Sequence, residues 1–411
     1  MKGVTGIIFF ILSVIVCSAQ KNNLDYFVNQ ALANSPLLKD YRGQILSFVL
    51  DSQIIRAGLK PQVNGISNNS YAPIIHGWGY DEVITNGQQI SGLLQVSKSF
   101  LSNKTIASQI SNLQIQSQSA ANNIKISEQD LIKAITDQYI VTYGEQLQIA
   151  FNNEINSLLK KEDSLLKILA QNNVYKQTDY LSFTVTLQQQ LLNTSQLEIQ
   201  YNFDYAGLNY LAGIVDTATA VLQDPQLNSV TFGDYTNSIF YHQFVLDSLK
   251  LSNDRLLIDL TYRPKINAYA DAGYNSSLAY LPYKNFGASV GLNITVPIYD
   301  GRQKRLQYAK IDIQERTRLV KKDFFLRQRN QQILQLMQQL NATNKLIDQI
   351  NKQINYTETL ISVNEKLLST GDIRLTDFIL TLHNYSDAKN LVTQNYISRL
   401  KIVSQLNYWG R

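Results

Sequence analysis

Few residues in this chain could do chemistry, and they are scattered. The three histidines, His76, His242 and His383, lie far apart, and Cys17 is the one cysteine, so a zinc cluster or a disulfide framework is out of reach. There is no H-E-x-x-H and no glycine-rich phosphate loop. Carboxylate pairs such as Glu162-Asp163 fall where a long helix is expected and read as solvated faces. The charges that do sit at defined places open helices. Thr178-Asp179 and Thr376-Asp377 each follow a turn signal, where a carboxylate can cap free N–H groups beside the positive helix end. Arg374 precedes Asp377 by three residues, within reach on one helical face. No enzyme, cofactor or metal is expected.

The elements that carry these residues are long. The chain has 411 residues, 44% hydrophobic and 17% charged, with only 19 Gly and 7 Pro. Charge is too sparse for a charge-driven disordered protein, and scarce Gly and Pro favour long regular elements. The net charge of +5 is spread along the sequence without a basic block, which argues against nucleic acid as a partner. Residues 1–19 read as a secretory signal peptide: Lys2, the apolar run Ile7 to Val16, then Cys17-Ser-Ala19 before cleavage. Lipidation at Cys17 is a poor fit, because Val16 stands where a small residue is needed. Cleavage leaves no cysteine, as suits an exported chain.

Self-comparison shows a tandem duplication. Pro61-Gln-Val-Asn64 resembles Pro264-Lys-Ile-Asn267, and Val96 matches Val296. The stretch from Leu169 to Leu181 parallels Leu367 to Ile379, and Leu208-Asn-Tyr recurs as Leu406-Asn-Tyr. Four collinear matches are hard to obtain by chance. The first copy is placed at 20–213 and the second at 236–411, with a connector over 214–235 containing Asp224-Pro225. Each copy reads as helix, two short alternating segments, very long helix, tight turn and returning helix. The long helices are expected at about 101–169 and 302–368. At 1.5 Å per residue each would be a rod of roughly 100 Å. In the second, Ile333, Leu340, Ile347, Ile354, Ile361 and Leu368 recur every seven residues, beside a half-polar seam of Leu336, Thr343, Ile350, Thr357 and Asn364. This is coiled-coil packing. On its own it would suit a helical spacer or a structural envelope stalk equally well.

The alternating segments separate those readings. Phe286 to Val296 and Ile266 to Tyr274 alternate apolar and polar residues over the length a tilted strand needs to cross an outer membrane. Strands are expected at about 62–98 and 264–297. Tyr71, Trp78, Tyr80, Tyr274, Tyr280, Tyr283 and Tyr299 gather near their ends, as an interfacial girdle would. Four strands cannot close a membrane barrel, which needs at least eight, so several chains must share it. Two chains would supply 8 strands and three would supply 12. A stalk needs neither such strands nor Pro297 at a strand-to-helix junction.

At this point the chain resembles the TolC-type outer membrane efflux proteins. The resemblance rests on the signal peptide, the order of the tandem copies, Val296-Pro-Ile-Tyr-Asp-Gly-Arg302 at the junction, Ser369-Thr-Gly-Asp-Ile-Arg-Leu-Thr-Asp-Phe-Ile-Leu380 at the helical tip, and the terminal Leu-Asn-Tyr. It implies an α+β membrane protein. Three chains would share a transmembrane β-barrel, four strands from each, continued by a coiled-coil α-helical barrel through the periplasm. It implies a homotrimer in outer membrane lipid, docked through a periplasmic adaptor on an inner-membrane pump, and a passive exit duct for efflux or type I secretion. In that frame Asp377 and Arg374 are gate residues, while Asn172, Asn173, Tyr175, Gly371 and Asp372 form the adaptor-docking tip. Pro297, Asp300 and Gly301 make the junction. The second acidic gate position, three residues after Asp377, is occupied by Leu380.

Overall fold

The computed structural model describes residues 23–85, 87–216, 218–229, 235–278 and 281–410. The expected signal peptide over 1–19 and Tyr280 lie outside them. The elements run α1 (Leu24–Asn34), α2 (Pro36–Gly58), β1 (Gln62–Ile66), β2 (Asn69–Tyr71), α3 (Glu82–Thr85), β3 (Gln88–Phe100), α4 (Asn103–Gln171) and α5 (Gln177–Ala212). Then follow α6 (Ile239–Thr261), β4 (Lys265–Ser276), β5 (Phe286–Thr295), α7 (Gln303–Thr370) and α8 (Leu375–Trp409). The order helix, strands, very long helix, returning helix therefore occurs twice. The copies differ at the start: α6 matches α2, both of 23 residues, while α1, separated from α2 at Ser35 because Pro36 has no N–H to continue it, has no helix of its length before α6 among the described residues.

Two compact units divide the chain, each drawing on both copies. One holds the strands, with Asp40–Asn123 and Phe240–Asp323. The other holds residues up to Lys39, Ile124–Ile239 and Phe324–Arg411. Helices α4 and α7, of 69 and 68 residues, belong in part to each.

In the strand unit all pairing is antiparallel, and β3 and β4 join the two copies along Ile90↔Ser276 to Phe100↔Ile266. β1 and β2 pair with β3 in one continuous register, Ile66↔Leu93 and then Asn69↔Ile90. They are one strand position interrupted at Ser67-Asn68, where buried Ser91 exchanges hydrogen bonds with the Asn68 backbone (3.0 and 2.9 Å). The sheet thus has four positions, with β1/β2 and β5 as open edges.

Register sorts the side chains by face. One face carries the rows Val63–Val96–Ala270–Val290, Leu94–Ala272–Ala288 and Phe100–Ile266–Ile294. The other carries Asn64–Gln95–Asp271–Ser289 and Ser99–Asn267–Asn293. On the polar face Ser289 donates to Asp271 at 2.8 Å, and the Tyr269 ring lies so close over Gly291 that a Cβ there would meet it at 2.5 Å. The apolar face is bare: Val290 is 84% exposed and Leu292 70%.

In the helical unit the predicted seams are where the packing is. Ile333, Leu336, Ile350, Ile354, Ile361 and Leu368 are buried. The polar seam positions are paired: Asn364 donates to Thr381 at 2.9 Å, and in the first hairpin Asn156 donates to Thr194 at 2.8 Å. Such contacts between apolar layers favour one register over its neighbours. A second core joins α1 to α4 and α5 through Phe27, Ile135, Tyr139, Tyr205 and Leu208. The connector lies along this core. Gln146 both donates to the Leu222 carbonyl (3.0 Å) and accepts its N–H (2.6 Å), and Tyr139 and Tyr201 donate to the Gln223 and Ala220 carbonyls (both 2.7 Å).

Next to Gln146, burial pushes the Glu145 carboxyl up to about 8, reinforced by its hydrogen bond to Asp204 and by the Asp204 charge. Burial also works against the Asp204 carboxylate, but hydrogen bonds from Glu145, Gln200 and Gln138 outweigh it and hold Asp204 below its ordinary value. The proton of the pair therefore resides on Glu145. The folded chain keeps a proton that the unfolded chain releases above about 4.5, so Glu145 removes stability as pH rises from about 4.5 to about 8. Asp204 acts only in the acid range, where its stabilisation is lost as pH falls. Glu145→Gln keeps a donor toward Asp204 without the titration. It is expected to raise the thermal midpoint at pH 8 and to flatten its decline between pH 5 and 8. Melting curves across that range check this, and parallel curves for the two proteins would refute it.

Candidate functional site

The helical tip is built by two turns of the same form. Each long helix ends with paired backbone bonds that close over its last carbonyls: Val174 N–H to Leu169 (2.9 Å) with Asn173 N–H to Ala170 (3.1 Å), and Asp372 N–H to Leu367 (2.9 Å) with Gly371 N–H to Leu368 (3.3 Å). This closure needs a left-handed residue, supplied by Asn173 (φ 61°) and Gly371 (φ 80°). The turns pack on each other, since a Cβ on Gly371 would stand 2.7 Å from Val174 Cγ1. Beneath them Phe183, Leu368 and Phe378 are fully buried.

Tyr175 departs from its expected place. It is only 9% exposed, and its hydroxyl donates to the Ile373 carbonyl at 2.9 Å, with a longer contact to Leu368 at 3.4 Å. The ring fills space between the two hairpins, so Tyr175 is an internal strut of the tip and not part of its outer surface. Asn172, Asn173 and Asp372 are exposed and Gly371 is half-buried. Asp372 accepts a hydrogen bond from Thr370 at 2.6 Å.

Arg374 and Asp377 meet within one chain. The guanidinium grips the carboxylate through Nε (2.9 Å) and Nη2 (3.2 Å). Arg374 is the residue before α8, and neither it nor Lys176 in the first copy caps its helix with a side chain. The Asp377 carboxylate is thus engaged by Arg374, and its negative charge also lies in the favourable first helical turn. With side chains 82% and 45% exposed, the pair contributes about 0–1 kcal/mol to stability. The matching Lys176 and Asp179 form no ion pair among the described residues. Leu380, one turn beyond Asp377, is exposed.

At the junction β5 stops at Thr295, two residues before Pro297. The Asp300 carboxylate accepts the N–H groups of Lys304 (2.7 Å) and Arg302 (2.9 Å) and so caps α7. The Lys304 N–H is the main cause that holds this carboxyl below its ordinary value, with Tyr262 adding a further hydrogen bond. Gly301 (φ 63°) and Arg302 (φ 70°) turn the chain through the left-handed region, which Gly adopts without strain.

Other chemistry is weakly supported. Gly287-Ala-Ser-Val-Gly291 has the G-x-S-x-G spacing of a nucleophile elbow, but it runs through the middle of β5 with no strand-to-helix turn, and Ser289 is bonded to Asp271. Among the described residues no group of three or more His, Cys, Asp or Glu could hold a metal ion. Among the described residues no helix is long and apolar enough to cross a membrane.

No protein-family model and no curated protein matches the sequence. Solved structures do match the fold over nearly the whole chain. The outer membrane protein VceC of Vibrio cholerae superposes with a TM-score of 0.74 at 11% identity, covering 94% of this chain and 96% of that one. The Campylobacter jejuni CmeC outer membrane channel gives 0.71 at 14% identity, covering 94% and 85%. The open state of the Neisseria gonorrhoeae MtrE outer membrane channel gives 0.72 at 11% identity, covering 94% and 88%. The tip offers a first test of this geometry. Tyr175→Phe removes the strut's hydroxyl and is expected to lower stability by about 1–2 kcal/mol with the fold unchanged, as measured by denaturant unfolding. Full stability in the variant would show that the hydroxyl contributes nothing. The long paired helices and the four-position antiparallel sheet of this chain make the fold of the outer membrane channels.

Proposed function

We propose that the protein is the exit duct of a tripartite efflux or type I secretion system, located in the outer membrane and extending into the periplasm. Three copies share a 12-stranded barrel, and their helices form the periplasmic tube. The observation that carries this reading is the sheet itself. It has one apolar face, one polar face and two open edges, and among the described residues nothing covers Val290 or Leu292 on the apolar face. In lipid each unpaired backbone group costs several kcal/mol, so such a sheet is stable only when copies close its edges. The helices support the same assembly: on α7 Leu306, Ile313 and Val320 are exposed at heptad spacing, a short apolar seam for a neighbouring copy that ends where Arg327 takes the next heptad position. The likeness to outer membrane channels agrees with it.

In this assembly the tip is the docking end for a periplasmic adaptor, which connects to an inner-membrane pump. Asn172, Asn173, Gly371 and Asp372 lie on the docking surface, and Tyr175 holds that surface in shape. Asp377 from three chains converges on the axis, and its pairing with Arg374 helps hold the closed state. Leu380 leaves one acidic ring where two would otherwise stand.

The decisive experiment is conductance of the purified protein in a planar bilayer together with its mass in detergent. A conducting trimer is expected, and a non-conducting monomer would end the duct reading. Arg374→Ala should raise the unpartnered conductance and Asp377→Asn should weaken cation selectivity. Unchanged current–voltage curves in both would remove the gate assignment alone.

Face assignment has its own test. Val290→Arg, on the apolar face at the middle of β5, should cost about 2–4 kcal/mol of barrel stability, and Ser289→Arg, beside it on the polar face, should be mild. Urea unfolding in vesicles compares them, and equal costs would show that inside and outside are misassigned.

A further inference from the structure

The two rims of the sheet differ sharply in charge. At the rim where the strands meet α2, α4, α6 and α7, Lys98, Lys104, Arg263, Lys265, Arg302 and Arg305 are all exposed, and none is in an ion pair among the described residues. The two acids nearest this rim are already engaged. Asp259 pairs with Lys304 at 2.9 Å, and Asp300 caps the backbone of α7. Among the described residues of the opposite rim, within 72–85 and 281–285, Lys284 is the one lysine, and Asp81 is an acid. In sequence these cations are dispersed over more than two hundred positions, and the antiparallel pairing brings them to one edge.

Lys98 is the informative member. Its register row, Lys98–Ala268–Leu292, belongs to the apolar face. It lies between Val96 and Phe100 on that face, with its ammonium over the Phe100 ring at 5.4 Å. A lysine at the margin of an apolar band is stable when its stem lies along the band and its ammonium reaches past the edge into a polar, anionic layer. The remaining cations lie where that layer would be.

We propose that this rim binds the phosphate groups of anionic phospholipids in the leaflet on the helical side, with Lys98 reaching the headgroups from the apolar face and Arg302 and Arg305 contacting them from the start of α7. The inference rests on the membrane barrel proposed above. Phosphate is the chemistry that matches a band of unpaired Lys and Arg, and a lipid is the phosphate bearer whose tails would also cover Val290, Leu292 and Ile294.

The test uses the full chain reconstituted in nanodiscs of phosphatidylcholine, with or without added phosphatidylglycerol. Retained lipid is counted by native mass spectrometry, and the thermal midpoint of the assembled barrel is read in parallel. Phosphatidylglycerol should be retained preferentially and should raise the midpoint. The combined variant Lys98→Gln, Arg302→Gln and Arg305→Gln should lose that retention several-fold, whereas Lys98→Arg should keep it and Lys284→Gln, at the opposite rim, should have no effect. Equal retention by the combined variant and the unmodified chain would overturn the proposal, as would an equal upward shift from inorganic phosphate alone, which would mark a general anion site. If channels conduct normally while phosphatidylglycerol is neither retained nor stabilising, the duct reading stands and this inference falls. If no barrel forms in either lipid, both fall.

Discussion

An open sheet with one apolar face is the constraint on which the rest of this structure depends. Among the described residues of one chain, β1/β2 and β5 leave a row of backbone donors and acceptors unpaired at each edge, and Val290, Leu292 and Ile294 are exposed. Water would penalise the apolar face and lipid would penalise the edges. Sharing the sheet among copies in a membrane, as proposed above, would resolve both costs together. The short exposed heptad row of Leu306, Ile313 and Val320 on α7 would fit the same logic, because a helix that needs a partner shows a seam to the outside.

The duplication explains how two different materials are joined. Each copy must change from strand to helix, and at the second junction this is done by Asp300, whose carboxylate satisfies N–H groups that the first turn of α7 leaves free. Both long helices end in the same left-handed turn, using Asn173 in one copy and Gly371 in the other. The copies have diverged around that shared geometry. Asn364 and Thr381 hydrogen bond in the second hairpin, while the aligned positions of the first, Leu166 and Phe183, are apolar and fully buried. Arg374 grips Asp377 with a rigid two-pronged contact, whereas Lys176 stands in the equivalent place with a single mobile ammonium. A gate built from one copy only would follow naturally from this asymmetry.

Rigidity at the tip and along the connector comes from polar groups acting on backbone. Tyr175 ties its own turn to the partner turn, and Gln146 binds the Leu222 peptide as a strand neighbour would. Residues 220–223 of the connector are therefore strapped to the helices. Beside Gln146, burial and the neighbouring Asp204 raise the Glu145 carboxyl, so the proton of that pair stays on Glu145.

Much of the architecture was legible in the sequence, because periodicity is a local property. Heptads at Ile354, Ile361 and Leu368 predict a packed helical face, alternation from Phe286 to Val296 predicts a strand, and the repeated Thr-Asp after each turn predicts a helix start. Tertiary structure decided what periodicity cannot encode. The segment from Gln62 to Tyr71 is rich in Asn and Ser and has no clean alternation, yet it keeps one register because Ser91, on the neighbouring strand, holds Asn68 across the break. Tyr175 looked like a surface residue of an exposed turn, and only the approach of the second hairpin buries it. The cations at the helical rim are far apart along the chain, with no basic block to mark them. Strand pairing collects them at one edge, since residues remote in sequence become neighbours only when the ladder's register is set.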